Sequence, residues 1–202
     1  MSIKSAVEVV RKWAAVIAGV AIGGTLAVIV ATISSPRVSS TTTGIEGPEV
    51  RLVFIGSARC PACRRRDLRE AVAEGMALVR DSLSYYHLRG RTVGVAVDDD
   101  VQDAWNFLRG IGNFDELVVG GGWLNLGAAR YIWSGSDGYA TVPQILIVAR
   151  IVESMTGSVR LSEEVYGSKL IGAAKIMDWV SKGAPLGLPA DFAAYARVAT
   201  EH

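Results

Sequence analysis

Cysteine and histidine are both scarce in this sequence of 202 residues, since each occurs only twice. Two cysteines cannot build a disulfide-rich scaffold, and too few ligands are present to close a structural zinc site with four of them. A large excess of charge is also missing, because 21 lysine and arginine residues balance 20 aspartate and glutamate residues. We therefore expect no metal and no nucleic acid partner, and no motif in the chain calls for a cofactor.

Charged residues are absent from positions 13–33. About twenty such residues are enough for one helix to cross a bilayer, so we predict a single transmembrane helix there. Residues 1–12 contain three basic side chains, whereas only Arg37 follows closely. By the positive-inside rule, residues 1–12 are cytoplasmic and the remainder is extracytoplasmic, in a periplasm or at the cell exterior. A cleaved signal peptide is the alternative, but its apolar core is usually shorter, about 7–15 residues.

Small residues recur at every fourth position of this predicted helix: Ala15, Gly19, Gly23, Ala27 and Ala31. They would line one helix face and let a second helix approach closely, which suggests a homodimer through the transmembrane helix. Alanine and glycine are also common in such helices for no specific reason. The pattern alone leaves both interpretations open.

The remaining chain predicts one domain of the α/β class over residues 49–182. Residues 34–48 are rich in Ser, Thr, Gly and Pro, which indicates a flexible linker before it. Apolar, β-branched runs predict three strands, at 50–55, 92–97 and 142–148. Residues 183–202 form a C-terminal tail.

Helices are predicted between these strands. A first helix begins at Pro61 and carries an apolar stripe at four- and three-residue spacing: Leu68, Val72, Met76, Val79 and Leu83. Asp98-Asp99-Asp100 supplies N-cap residues for a second helix around 101–109. A third stripe, from Leu170 to Val180, predicts a closing helix. The alternation of strands and helices implies parallel pairing of the first two strands.

An insertion is predicted at residues 111–140, which are longer than an ordinary connection. It contains several large apolar side chains: Phe114, Trp123, Leu126, Tyr131 and Trp133. These side chains either line a substrate groove or cover the core, and we favour the core. Gly120-Gly121-Gly122 lacks the further residues of a nucleotide-binding loop and is interpreted as a plain loop.

The two cysteines form a Cys60-Pro61-Ala62-Cys63 motif directly after the first strand. A thiolate attacks a disulfide, so a redox cysteine needs its negative charge stabilised. Cys60 lies at the predicted helix N-cap beside Arg59, and both features favour a thiolate on Cys60. Cys63 lies one turn inside the helix, where we expect a buried, protonated resolving thiol. Ser57 could also hydrogen-bond the thiolate, although a serine in a turn needs no such role.

A cysteine pair can also attach haem, deliver copper or form an inert disulfide. Haem attachment requires a histidine after the second cysteine, and Arg64 stands there. Copper delivery would also want a histidine ligand, and His87 is expected at the surface. An inert disulfide would close a loop too small to stabilise much. The remaining alternative is a tethered binding or metal-delivery module without redox turnover.

The strand VRLVFIGSAR, the Cys60-Pro61-Ala62-Cys63 motif and Thr141-Val142-Pro143 before a later strand together resemble the thioredoxin superfamily. The resemblance covers residues 49–182 and implies a thioredoxin-like fold, a central mixed sheet flanked by helices. It also implies a cis Pro143 beside the cysteines and a Val142 backbone that pairs with substrate, with Pro61 and Ala62 beside them. With the predicted anchor, the chain looks similar to membrane-anchored extracytoplasmic thiol-disulfide oxidoreductases of bacteria. Their partners would be protein thiols or disulfides and a membrane-embedded redox protein.

Two positions depart from the thioredoxin pattern. Thioredoxins carry a tryptophan before the first cysteine and a buried acid on the preceding strand, whereas this chain has Arg59 and Phe54 there. Proton transfer during resolution is therefore left without an obvious side chain. We predict a thiol-disulfide oxidoreductase that differs from cytosolic thioredoxins.

Overall fold

The computed structural model describes residues 46–134, 140–155, 158–190 and 192, all within one compact unit of the chain, Thr43–His202. The predicted transmembrane helix at 13–33, its dimer face and most of the linker lie outside these residues. None of the helices within the described ranges has both the length and the apolar character needed to span a bilayer.

A six-stranded mixed sheet forms the centre of the domain. The strands are β1 (Gly47–Gly56), β2 (Arg89–Ala96), β3 (Glu116–Val118), β4 (Gln144–Met155), β5 (Ser158–Leu161) and β6 (Val165–Ile171). β1 pairs in parallel with β2, and β2 pairs in parallel with β3. β4 runs antiparallel to β1 on its other side, and both β5 and β6 pair antiparallel with β4.

Five α-helices are described, together with a 3-10 turn at Gly122–Leu124 and a π-helical turn at Ala129–Trp133. The helices are α1 (Pro61–Arg64), α2 (Arg66–Tyr85), α3 (Val101–Arg109), α4 (Leu126–Ala128) and α5 (Ala173–Ser181). Asp100 caps α3 as predicted, because its Oδ1 accepts the Asp103 backbone N–H at 2.8 Å. Prediction and structure agree on the position of α3.

The core lies on both faces of the sheet, because β1 is buried on both sides. One face of β1, with Leu52 and Phe54, packs against α2, α3 and α5. All five residues of the predicted α2 stripe are buried there: Leu68, Val72, Met76, Val79 and Leu83. The other face, with Val53 and Ile55, packs against Ala128 and the π-helical turn.

Two predicted helices differ from the observed ones. The helix that starts at Pro61 is interrupted at Arg65, whose ψ of 135° is extended, so α1 has only four residues. The closing helix begins at Ala173, because Leu170 and Ile171 belong to β6 and bond across to β4. The prediction begins this helix too early, because the apolar residues at the end of β6 continue the helical spacing of the α5 stripe.

The insertion at 111–140 is ordered where it is described, and it contributes β3 to the sheet edge. Its large side chains are divided between two environments. Tyr131 is buried against the second core face, and Phe114 packs on the first. Leu126 is 85% exposed and Trp133 47% exposed, so the expectation that these side chains cover the core holds only for some of them.

A buried ionic network lies at the end of the sheet where β1 begins. Glu49 Oε1 accepts from Arg51 Nε at 2.6 Å and from Arg150 Nη2 at 2.8 Å. Arg51 also reaches Glu116 Oε1 at 3.2 Å. Burial alone would raise the pKa of Glu49, but its hydrogen bonds and charge pairs with Arg51 and Arg150 lower it overall. Glu49 is therefore held as a carboxylate by the surrounding arginines.

Candidate active site: the Cys60–Cys63 pair

The cysteine pair lies where the sheet topology brings three chain segments together. β1 and β2 are parallel, so the segments that follow them leave the same edge of the sheet. β4 is antiparallel to β1, so its first residues lie at this edge as well. The Cys60-Pro61-Ala62-Cys63 motif follows β1, Asp98 follows β2, and Val142-Pro143 precedes β4.

Cys60 is the N-cap of α1 and is partly exposed. Its Sγ accepts the Cys63 backbone N–H at 3.2 Å, in the way that a serine or aspartate oxygen caps an ordinary helix. Pro61 occupies the first turn, where its missing N–H costs no hydrogen bond. Because α1 ends after four residues, Cys60 caps a short helix that is separate from the long α2.

The Val142–Pro143 peptide bond is cis, as the resemblance implies. The Cys60 thiol donates to the Val142 carbonyl oxygen at 3.6 Å between sulfur and oxygen. Val142 is half-buried and Pro143 is buried. The Pro143 carbonyl accepts the Gly172 N–H at 2.9 Å, which fixes this turn to the start of α5. The structure thus brings Cys60 and Val142 into direct contact.

Cys63 has a different environment from Cys60, because its side chain is fully buried in the first core face. Burial raises the pKa of the Cys63 thiol strongly, and hydrogen bonding to Cys60 raises it further. The charge of Asp98 acts in the same direction, while the Ser57 backbone N–H opposes it. Both cysteines are free thiols in the structure. Cys63 is therefore a protonated thiol at neutral pH.

Asp98 is the site residue that the sequence did not reveal. The sequence predicts a helix cap at Asp98, but Asp100 caps α3, and Asp98 is buried with 2% of its surface exposed. Its carboxylate accepts from Ser57 Oγ at 2.7 Å and from the Ala58 N–H at 2.9 Å. Since Gly56 pairs with Ala96 in the parallel register, Ser57 and Asp98 leave the sheet side by side. That register was the signal that could have placed Asp98 here.

Ser57 has a structural partner instead of a thiolate. Its hydroxyl donates to Asp98 and accepts the Arg59 backbone N–H at 3.0 Å. The Ser57 carbonyl accepts the Cys60 N–H at 3.2 Å. These bonds define the turn that places Cys60. Arg59 itself is exposed, so its predicted effect on the Cys60 thiolate stays a prediction.

The described residues contain no group of three or more His, Cys, Asp or Glu side chains that could hold a metal ion. The donors that gather at the site are two sulfurs, one carboxylate, one hydroxyl and backbone groups. A buried thiol beside a partly exposed one is the arrangement that exchanges disulfides in two steps.

The strand order, the helix that starts inside the Cys60–Cys63 motif and the cis Val142–Pro143 bond are together compatible with a thioredoxin-like fold with a dithiol site. The predicted α/β class with a central mixed sheet is confirmed for the described domain. No family model matches the chain, and no curated protein matches it.

Solved structures of low identity were found to be similar. DsbF from MTB, in mixed oxidised and reduced forms, is 16% identical over 67% of this chain and 81% of that chain, with a TM-score of 0.35. A thiol:disulfide interchange protein of the thioredoxin family from Chlorobium tepidum TLS is 12% identical over 68% and 81%, with a TM-score of 0.33. Copper-bound ScoI from Arabidopsis thaliana is 15% identical over 67% and 83%, with a TM-score of 0.32. The fold assignment rests on the strand order and the site, since these overall likenesses are weak.

Proposed function

We propose that this protein is a membrane-tethered thiol-disulfide oxidoreductase that acts on disulfides or dithiols of extracytoplasmic proteins through Cys60 and Cys63. The observation that carries the proposal is the difference between the two sulfurs. Cys60 is partly exposed and has hydrogen-bond partners on two sides, whereas Cys63 is fully buried and protonated. An inert disulfide or a surface ligand pair would not need this asymmetry.

The reaction in the reducing direction has two exchanges. The Cys60 thiolate attacks one sulfur of a substrate disulfide, a Cys60–substrate bond forms, and the other substrate sulfur leaves as a thiolate that takes up a proton. Cys63 then loses its proton and attacks Cys60 Sγ. The Cys60–Cys63 disulfide forms as the Cys60–substrate bond breaks, and the second substrate sulfur leaves as a thiolate that takes up a proton, so both substrate sulfurs are reduced. The oxidising direction is the reverse of these steps.

The surface beside Cys60 suits an extended substrate segment. Pro61 is exposed, and Ala62 and Val142 are half-buried next to it. In the free dithiol the Val142 carbonyl accepts from the Cys60 thiol. In the mixed disulfide Cys60 has no S–H, so this carbonyl becomes available to a substrate backbone N–H. Val142, Pro143, Pro61 and Ala62 would therefore contact the substrate around its cysteine.

A mixed-disulfide trap tests the activity. The Cys63→Ser chain, expressed in its host, should accumulate covalent protein complexes that a reductant dissolves, because resolution is blocked after Cys60 has reacted. The matched control is Cys60→Ser, in which the remaining thiol is buried and should form few complexes. Absence of complexes with Cys63→Ser would contradict turnover and favour a binding or metal-delivery module. Equal trapping by both variants would contradict the separate roles of the two sulfurs.

The reduction potential assigns the direction of electron flow. The reduction potentials of proteins that exchange disulfides through a dithiol pair span about −270 to −120 mV. Equilibration of the Cys60–Cys63 pair with glutathione redox buffers gives the value. A value near the lower end would indicate a reductant that draws electrons from a membrane-embedded partner, and a value near the upper end an oxidant.

The membrane attachment is part of the same proposal and rests on residues 13–33 and the preceding positive charges. Fusions of a periplasmic and a cytoplasmic reporter to the C-terminus test it. Activity of only the periplasmic reporter is expected, and activity of the cytoplasmic reporter would contradict the orientation. For the homodimer, a helix-association reporter should lose signal with Gly19→Ile and Gly23→Ile, and an unchanged signal would contradict it.

A further inference from the structure

The basic residues next to the redox motif fall into two groups. Arg65 Nε bonds Asp67 Oδ1 at 3.0 Å, and Arg66 Nε bonds Glu70 Oε1 at 2.7 Å. Their charges are balanced by neighbours on the same helix, at exposed positions. These two arginines therefore contribute little net field near the cysteines.

Arg59 and Arg64 make no ion pair within the described part of the chain. Both are exposed. Arg59 directly precedes Cys60, and Arg64 directly follows Cys63, so one uncompensated cation stands on each side of the motif. Because both arginines adjoin the motif in the sequence and are exposed, their charges act on a substrate that approaches Cys60.

The carboxylates at the same edge of the sheet are occupied. Asp98 is buried and accepts two hydrogen bonds from the Ser57–Ala58 turn. Asp100 caps α3. Asp99 is exposed, and its carboxylate lies against Gly122 of the insertion. The two exposed charged residues that flank the Cys60–Cys63 motif in the sequence are therefore both arginines, and the nearest carboxylate bonded to its turn is buried.

We propose that Arg59 and Arg64 make this protein selective for protein substrates that carry acidic side chains within a few residues of the reacting cysteine. The inference rests on the proposed exchange activity and specifies the substrate class. Opposite charges steer encounter and raise association rates, whereas like charges slow them. Because both arginines are exposed, the effect is screened by salt, with a Debye length of about 10 Å at 0.1 M.

The experiment uses the full-length chain, reduced, in a non-ionic detergent. Three peptides of equal length each carry one cysteine in a mixed disulfide with 5-thio-2-nitrobenzoate, flanked by two Glu, two Gln or two Lys residues. Release of the coloured thiolate gives the second-order rate constant for attack by Cys60. At 20 mM salt we expect the Glu peptide to react about tenfold faster than the Lys peptide, and this ratio to shrink towards one at 500 mM salt.

The chain itself provides matched variants. Arg59→Gln and Arg64→Gln should each lower the Glu-to-Lys rate ratio at low salt, and the double variant should bring it close to one. The Arg66→Gln/Glu70→Gln double variant removes a balanced ion pair and keeps the net charge, so it should leave the ratio unchanged. An effect of Arg59 on thiolate formation alone would change all three rates by one factor and leave the ratio intact.

The outcomes separate the two proposals. Exchange with all three peptides at one rate, or an equal fall in the ratio for the Arg66→Gln/Glu70→Gln double variant, would overturn the selectivity while leaving the exchange activity in place. If the protein is folded and its Cys60 reacts with iodoacetamide, the absence of exchange with every peptide would overturn both proposals.

Discussion

The buried thiol of Cys63 predicts that the reduced protein loses stability as pH rises above about 8.5. Its side chain is fully buried, and burial with the neighbouring groups raises its pKa in the folded protein. In the unfolded chain the thiol ionises with a pKa of about 8.5. Above that pH the unfolded state releases a proton that the folded state keeps, so each further pH unit favours unfolding. The loss begins at the unfolded-state pKa and continues until pH reaches the folded-state pKa.

The size of the effect follows from linkage. With an unfolded-state pKa of about 8.5 and a folded-state pKa raised well beyond it, the free energy of unfolding falls by about 2 kcal/mol between pH 8 and pH 10 because of this one group. Tyrosines and lysines also titrate there, so the quantity to compare is the pH dependence of two proteins. Cys63→Ser removes the titrating group and should lack this component, whatever its stability at pH 8.

Urea unfolding of the reduced chain, followed by tryptophan fluorescence at several pH values with a phosphine reductant, provides the measurement. Cys60→Ser is the control, since it keeps the buried thiol and should keep the steeper pH dependence. Parallel curves for wild type and Cys63→Ser would refute the reasoning, because they would mean that Cys63 ionises in the folded protein as easily as in the unfolded one.

Three further predictions concern groups around the site and in the core. Asp98→Asn should lower the free energy of unfolding by about 1–3 kcal/mol, because its carboxylate accepts two hydrogen bonds that one amide oxygen cannot fully replace. The same change should lower the pKa of the Cys63 thiol, which the alkylation rate of Cys63 against pH would measure. Glu49→Gln should cost about 3–5 kcal/mol, since buried Arg150 loses its counter-ion and Arg51 keeps only Glu116, whereas Glu70→Gln in an exposed pair should cost less than about 0.5 kcal/mol. Because the pKa of Glu49 is lowered, the gap between wild type and Glu49→Gln should be present at neutral pH and close as pH falls below about 4, and a gap that persists at pH 2 would contradict the ionic explanation. Gly75→Ala should destabilise by about 1 kcal/mol net, because the new methyl carbon would lie 2.7 Å from an indole carbon of α5, whereas Gly112→Ala meets its nearest neighbour at 3.6 Å and should be neutral in the same urea assay.

Much of the domain could be predicted because its signals are local. The α2 stripe, the cap at Asp100 and the apolar run of β1 each depend on a few neighbouring residues, and all three have the predicted structure. The break at Arg65 has no such signal, since arginine is a good helix former. The edge strand β3 has only three residues, all half-buried, so neither its length nor its pattern distinguishes it from a loop.

The candidate site was predictable only for the residues adjacent in sequence to the cysteines or matched by the resemblance. Cys60 and Cys63 were recognisable from their spacing, and Val142-Pro143 from the resemblance. Asp98 was not, because its role depends on the register between β1 and β2, which two apolar strands of similar length do not specify by themselves. Three consecutive aspartates offered equal candidates for one cap, and only the pairing of strands shows which of them turns inward.

Asp98 is relevant to proton transfer at this site, for which the sequence offers no obvious side chain. Phe54 occupies the strand position where thioredoxins have a buried acid, and its ring packs against Phe107 at a centroid distance of 6.3 Å. The buried carboxylate beside the cysteines is instead that of Asp98, which follows the neighbouring strand β2, and its charge opposes ionisation of Cys63. This carboxylate is bonded to the turn that holds Cys60, so one side chain supplies charge near Cys63 and supports the position of Cys60. The two cysteines are thus linked through Ser57 and Asp98 as well as through the Cys63 N–H.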